Sequence, residues 1–519
     1  MSNSKFTGRI KTEREKLLLA TLSGFLLTAS FPPGPLSWVA WFAFVPLFKS
    51  LEGLSRKDAL ARGLAFGLTH NLTLIYWVVF VMRHYGSLPM TVSVGILVLF
   101  ALYLALYPAL FCFFFSLFRG PAFSFKIAGL WVLLEFVRAN VLTGFPWCLV
   151  GHSQYRNLHL IQIADLAGVY AISFVILFAN AAFYRLIFQP SRRAAQIEFI
   201  GAILLVILTL GYGYHRLSGT PGQDAPFKVT IVQGNIDQSI KWNPAFQAET
   251  VDIYRRLSLS PAPFDPDLVV WPETAVPLFL QDGEPLALRV LETVRESGAH
   301  AIFGSPAYGV EGKSLRYYNR AYLVSPSGEV LDAYDKVHLV PFGEYVPLQR
   351  FLPFVSRLVV AAGDFRPGTR LDPLPLPTGA AGVLICYESI FPELARTMTK
   401  NGASLLINLT NDAWFGMTSA PYQHFSMAVF RAVENRRPLV RAANTGFSAF
   451  ITPQGKIVQA TELFSEAVVH QALARGSSRL TLYARYGDFF PLSLLVLAFV
   501  QGGSVLYCFL ITNRRRVTP

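Results

Sequence analysis

The chain has 519 residues, 53% hydrophobic and only 15% charged, with a mean hydropathy of +0.41 and a formal net charge of +13. That balance excludes an ordinary soluble enzyme and points to a membrane protein of two or three domains. The basic residues stand at the ends of apolar segments and are not gathered into a groove with exposed aromatics, which argues against a nucleic-acid partner.

Residues 1–16 are polar and basic, and the first apolar run covers 17–30, closed by Phe31-Pro-Pro-Gly-Pro35. A cleaved signal peptide ending at Thr28-Ala29-Ser30 is one reading; a retained helix is favoured because further apolar runs follow at once. These cover 36–48, 63–82, 90–118, 127–143, 160–188 and 199–214, with a last one at 490–512, about eight spans in all if each crosses a bilayer. Basic clusters fall on alternate connections: Lys11, Arg14 and Lys16; Lys49, Arg56, Lys57 and Arg62; Arg119 and Lys126; Arg185, Arg192 and Arg193; and Arg514 to Arg516. Single arginines, Arg83, Arg156 and Arg216, occupy the others. Such asymmetry predicts both termini on the cytoplasmic side and the segment before the last span outside.

Inside one run, Glu135 and Arg138 have the i, i+3 spacing of residues that either pair with each other or face a polar cavity. Residues 219–226 form a Pro/Gly/polar linker, and beyond it the hydrophobic period shortens. Strands are predicted at 228–233, 267–271, 301–304, 320–324, 382–386, 404–408, 439–443 and 447–451, and helices at 246–258, 284–297, 392–400 and 426–436. The expected organisation is a membrane domain over 1–218, the linker over 219–226, an α/β layered domain over 227–480, and a final span with a basic tail over 481–519.

Three residues at the ends of these runs carry chemistry. Cys386 closes the apolar run Gly382-Val-Leu-Ile, where a following helix N-terminus favours a thiolate; the competing reading is an inert core cysteine. Glu273 follows Asp267-Leu-Val-Val-Trp-Pro, and Lys336 sits in Tyr334-Asp-Lys-Val-His; each also reads as an ordinary surface charge. A base, a cation for an oxyanion and a thiol nucleophile are what acyl transfer requires. The four cysteines, Cys112, Cys148, Cys386 and Cys508, show no CxxC or Cys/His spacing, so no metal, cofactor or disulfide framework is expected.

In order and context, Glu273, Lys336 and Cys386 resemble the Glu-Lys-Cys triad of the nitrilase (carbon–nitrogen hydrolase) superfamily over residues 227–480. With its membrane segments, the whole chain resembles the apolipoprotein N-acyltransferase family. That resemblance implies a transmembrane helical bundle carrying an extracytoplasmic nitrilase-type α/β sandwich in a bacterial inner membrane. It also implies transfer of an acyl chain from a membrane glycerophospholipid, through a Cys386 thioester, to the amine of the diacylglyceryl-cysteine of an apolipoprotein. Glu273 would be the base, and Lys336 with the Tyr387 backbone N–H would hold the oxyanion. Glu344 and Glu388 would position Lys336 or the amine, while Trp242 and Trp414, in Asn411-Asp-Ala-Trp-Phe-Gly416, would wall the site. A membrane-tethered amidase using water, and a non-catalytic lipid- or peptide-binding scaffold, are the alternatives. Residues 348–362, apolar with two arginines, read either as domain core or as an arm entering the outer leaflet. Tethering at both ends favours a monomer.

Overall fold

A computed structural model describes residues 12–118, 120–189, 193–218, 227–260, 263–312, 314–345, 365–474, 476 and 479–498. The expected arm at 348–362, the linker at 219–226 and most of the last predicted span therefore lie outside the described residues.

The membrane domain begins with α1 (Glu13–Ala29), whose first turn is closed by a reciprocal cap between Thr12 and Glu15. Residues 36–48 do not form one continuous span: they make a 3-10 turn (Ser37–Trp41) and the six-residue α2 (Val45–Ser50), where Pro46 starts a new helix. Next come α3 (Arg56–Leu74), α4 (Trp77–His84), the 26-residue α5 (Met90–Phe115) and α6 (Phe123–Asn140). The predicted span at 160–188 is also broken, into α7 (Leu158–Ile161), α8 (Ala164–Ala167) and α9 (Val169–Phe188), because Gly168 turns the chain at φ +69°. Helix α10 (Arg193–Leu217) completes the bundle. Among the described residues, α5, α9 and α10 are long and apolar enough to cross a membrane, and α3 with α4, bent by 50°, makes a fourth candidate. An apolar helix at Phe489–Ala498 begins the C-terminal segment.

Two contacts organise this bundle. Helix α3 carries Gly63 and Gly67 one turn apart against α5, so close that a Cβ at Gly63 would stand 2.6 Å from Ala109 Cα and one at Gly67 2.8 Å from Ala105 Cα. At one end of the bundle the basic connections gather. Arg62 pairs with Glu13, Tyr184 donates to Glu52, and Arg185 donates to Glu198 (2.6 Å) and to the Gly120 carbonyl (3.1 Å). Because Glu13 begins α1 and Arg62 lies in the second turn of α3, the N-terminal ends of the two helices share one face, and the 3-10 turn and α2 carry the chain back between them.

The second domain is built from two six-stranded sheets. In the first, β1 (Phe227–Gln233), β2 (Leu268–Val270) and β3 (His300–Glu311) run parallel. They are extended antiparallel by β4 (Ser314–Val324) and β5 (Val330–Asp335) on one side and, on the other, by the last strand, Ala467–Leu473. The second sheet repeats the plan: β6 (Leu374–Leu376) lies antiparallel to β7 (Gly379–Ile385), which runs parallel with β8 (Leu405–Thr410) and β9 (Leu439–Ala443). Strands β10 (Ala449–Ile451) and β11 (Ile457–Ala460) follow antiparallel, and Ala467–Leu473 is β12.

Strand alternation separates the layers. Leu268 and Val270 join Val229, Ile231, Val383 and Ile407 in one core, whereas Val269 and Trp271 join a second core beneath α11 (Pro244–Ser258) and α12 (Pro285–Ser297). The second sheet is covered by α13 (Pro392–Lys400) and α14 (Ala420–Asn435). In α14 every residue but Tyr422 is buried, which requires apolar or paired partners on both sides. One side is the sheet and the other the membrane domain: Gln423 accepts from Trp77 Nε1 (3.1 Å) and Trp147 Nε1 (2.8 Å). Arg436, which ends α14, clasps Asp165 of α8 at 2.7 Å.

Glu135 and Arg138 do not pair. Glu135 accepts from Trp131 Nε1 (3.0 Å) and Val150 N (2.8 Å), while Arg138 donates to the Trp147 carbonyl (3.2 Å), and both line a cleft with His70, Asn71 and Tyr107. The close α3–α5 approach predicts that Gly67→Leu prevents the helices from meeting and costs about 2 kcal/mol or more through overpacking, read as a lowered thermal midpoint of the detergent-solubilised protein.

Candidate active site

Three strand ends and one turn meet where the two sheets face each other. Strand β2 ends at Val270, and Trp271-Pro272 turn the chain so that Glu273 points inward, only 6% exposed. The turn continues through Thr274 at φ +51° and rests directly on Gly304 of β3, where a Cβ would stand 2.7 Å from Glu273 Cα. Strand β5 ends at Asp335 and delivers Lys336, 1% exposed; a turn returns Glu344 to the same point.

Lys336 Nζ lies 2.9 Å from Glu344 Oε2 and 3.5 Å from Glu273 Oε1. Asn319 of β4 donates to both carboxylates, at 2.8 Å to Glu273 and 2.9 Å to Glu344. Burial alone pulls the Lys336 pKa down, but Glu344, then Glu273, outweigh it, so the ammonium is held above its ordinary range and stays charged. Glu273 Oε1 is occupied, whereas its buried Oε2 has no hydrogen-bond partner among the described residues. That oxygen is a carboxylate lone-pair site left open at this centre.

Cys386 follows β7 directly, in the left-handed region at φ +53°. A non-glycine residue held there costs of order 1–3 kcal/mol and persists because its surroundings over-determine it. A 3-10 turn (Cys386–Ile390) separates it from α13, so the expected helix N-terminus does not begin at the thiol. Burial, reinforced by the Glu273 carboxylate and opposed by Lys336, pushes the Cys386 pKa up to about 12. The resting group is a thiol, and a base must act on it.

Glu388 is fully buried and acts as a bracket. One oxygen accepts from Tyr334 Oη (2.9 Å), Val337 N (2.7 Å) and His338 N (3.0 Å); the other accepts from Ile385 N (2.7 Å). It thereby ties the Lys336 turn to the residue before Cys386, and burial raises its pKa to about 7. The Tyr387 ring packs on Phe391 and His338, at 5.0 and 5.9 Å between centroids. Trp242 is 49% exposed and Trp414 packs edge-on against Tyr85 of the membrane domain; among the described residues neither donates a side-chain hydrogen bond to the triad.

A polar cluster behind Cys386 escaped the sequence reading apart from Asp412, which lies in the aromatic segment. Arg441 donates to Asp412 (2.7 Å) and to Asn408, whose side chain donates to the Leu384 carbonyl (2.9 Å). His424 Nδ1 lies 2.9 Å from Asp412, and its Nε2 lies 2.9 Å from the Ser389 hydroxyl and 3.2 Å from the Cys386 carbonyl. The signal was a polar or charged residue inside an apolar strand, Asn408 in β8 and Arg441 in β9. Asn319 carried no such signal, because its strand is polar throughout its first half. No cluster of residues able to hold a metal occurs among the described residues. A Cβ at Gly304 would stand 2.4 Å from Thr274 N, so Gly304→Ala should push the Glu273 turn away by about 1 Å and slow alkylation of Cys386 by iodoacetamide at neutral pH at least about tenfold, measured by mass spectrometry.

Residues 23–182 match the model of the apolipoprotein N-acyltransferase N-terminal domain, and residues 228–483 match that of the carbon–nitrogen hydrolases. The chain is 47% identical to an apolipoprotein N-acyltransferase of Geobacter metallireducens, over 92% of both chains. It is 34% identical to one of Allorhizobium ampelinum, over 87% of this chain and 89% of that one. An amidase from Nesterenkonia sp. aligns with 52% of this chain and 96% of its own at 20% identity, with a TM-score of 0.38. The chain is thus an acyltransferase with a carbon–nitrogen hydrolase domain, and it belongs to the apolipoprotein N-acyltransferase family.

Proposed function

We propose that the protein transfers an acyl chain from a membrane glycerophospholipid to the α-amine of a diacylglyceryl-cysteine at the N-terminus of an apolipoprotein, through a thioester on Cys386. The observation that carries this reading is the free Glu273 Oε2 in a centre where Lys336 joins Glu273 to Glu344 and acts electrostatically on the Cys386 thiol.

In the first half-reaction Glu273 takes the Cys386 proton, and the sulfur attacks the ester carbonyl. The oxyanion is stabilised by Lys336 and the Tyr387 backbone N–H. Collapse expels the lysophospholipid alkoxide, which receives the proton from Glu273. In the second, the neutral α-amine attacks the thioester, Glu273 takes its proton, and the thiolate leaves and is reprotonated. Glu344 and Asn319 keep Lys336 and Glu273 in place, and Glu388 holds the Lys336 turn against the cysteine. Trp242 and Trp414 stand as the walls of the entrance.

The catalytic domain is placed outside the cytoplasm of a bacterial inner membrane. Supporting this are the alternating basic connections and their convergence at one end of the bundle, through Arg62, Arg185 and their partners, while α14 and Gln423 meet Trp77 and Trp147 elsewhere on it.

Wild-type protein incubated with radiolabelled phospholipid should carry hydroxylamine-labile label, and Cys386→Ala should carry none. Label retained on the alanine variant would move the nucleophile. Release of free fatty acid at an undiminished rate without a lipopeptide acceptor would favour the hydrolase. For orientation, Glu311→Cys on the exposed β3–β4 hairpin should react with a membrane-impermeant maleimide in intact spheroplasts.

A further inference from the structure

A second lysine is buried at the same centre and has no part in the mechanism above. Lys241 is 1% exposed, and its ammonium donates to the backbone carbonyl of Glu273 at 3.2 Å. Both the Glu273 carboxylate and the Cys386 sulfur lie close enough for their charges to act on it. The turn that carries it is clamped between the sheets: Asn444 donates to the Ile236 carbonyl (2.8 Å) and accepts from Ile236 N (2.8 Å), and Asn411 donates to Gln238 (2.6 Å). A lysine used only to fill space would snorkel to water, and this one is fixed where it cannot.

Charge balance gives it a purpose. With Lys336 alone, Glu273 and Glu344 leave the centre at one net negative charge, and moving a proton from Cys386 to Glu273 leaves Lys336 to serve the new thiolate as well as Glu344, its partner at 2.9 Å. A second ammonium makes the centre neutral before and after that transfer. Other charged groups nearby are accounted for: Asp412 is paired with Arg441, and Glu388 accepts four hydrogen bonds.

We propose that Lys241 is a positioning residue and the second cation of the catalytic centre: its buried ammonium anchors the Glu273 backbone and stabilises the Cys386 thiolate while Glu273 holds the proton. This deepens the acyl-transfer reading and rests on it for its biological meaning. Burial lowers the Lys241 pKa to about 8, against the pull of Glu273 and Cys386, so the charge is present at neutral pH and fades above that point.

The test uses full-length protein in detergent and follows alkylation of Cys386 by iodoacetamide against pH, with Cys386→Ala as background. Lys241→Gln keeps a hydrogen-bond donor and loses the charge; Lys241→Met loses both; Lys241→Arg keeps both and stays charged at alkaline pH. Lys241→Gln and Lys241→Met should each slow alkylation at neutral pH about tenfold or more and shift the profile about one unit higher, with Lys241→Arg within about threefold of wild type. A wild-type profile for Lys241→Gln overturns the proposal, whether or not Lys241→Met is slow, because it assigns the residue an anchoring role at most. Should Lys241→Met fail to fold, judged by its thermal melt, the Gln and Arg variants decide alone. Alkylation needs no substrate, so failure of the acyl-transfer reading would appear separately, in the labelled-phospholipid assay.

Discussion

A buried ammonium between two carboxylates sets the terms for the rest of the catalytic domain. Removing Lys336 from water costs several kcal/mol, a penalty recovered only if its partners are close and their remaining lone pairs are satisfied. The first condition holds, with Glu344 and Glu273 at 2.9 and 3.5 Å; the second holds through Asn319, which serves an oxygen on each, except at Glu273 Oε2, which is left without a partner among the described residues. The partners arrive from the end of β2, the end of β5 and a turn beyond it, so the sheet must hold its register for the charges to meet. Glycine at 304 is part of the same requirement, because the Glu273 turn leans directly on that strand.

The thiol is placed under the opposite constraint. Its surroundings disfavour its ionised form, and its backbone is held in a conformation that costs energy, so the sulfur rests unreactive until a proton can move to the free oxygen of Glu273. A thiol that is silent by default is protected from oxidation and alkylation until a base reaches it. The cluster of Asn408, Asp412, His424 and Arg441 supplies the rigidity, bracing the strand end from behind.

Glu273 and Cys386 could be singled out in the chain because each closes an apolar strand-like run, whereas Lys336, in a polar turn after Tyr334-Asp, was pointed to by the family resemblance. The parallel strands were legible through the same apolar runs. The full length of the β3–β4 hairpin was not, since Gly304-Ser-Pro-Ala breaks the pattern in mid-strand and left only 301–304 and 320–324 legible; β11 is short and mostly exposed, and His470-Gln471 interrupt β12. In the membrane half, hydropathy found the apolar runs but not their breaks: Pro46 and Gly168 act through backbone geometry that a window average ignores. The spacing of Glu135 and Arg138 allowed either a pair or a polar cavity, and the structure takes the second: both line one cleft, with partners on the loop at 147–150. Lys241 was hidden in a short polar turn, where a buried lysine and a solvated one look alike.

Helix α14 connects the two halves. Its inward face closes the second sheet, its outward face holds Gln423 between two membrane-domain tryptophans, and Arg436 at its end reaches Asp165. A helix sealed on both sides has no surface of its own to offer water. The hydrolase-like half of this chain has therefore given up the option of existing as a free-standing enzyme: excised, it would present a greasy flank and leave Arg436 without Asp165, Glu434 without the Val169 amide and Gln423 without its two tryptophans.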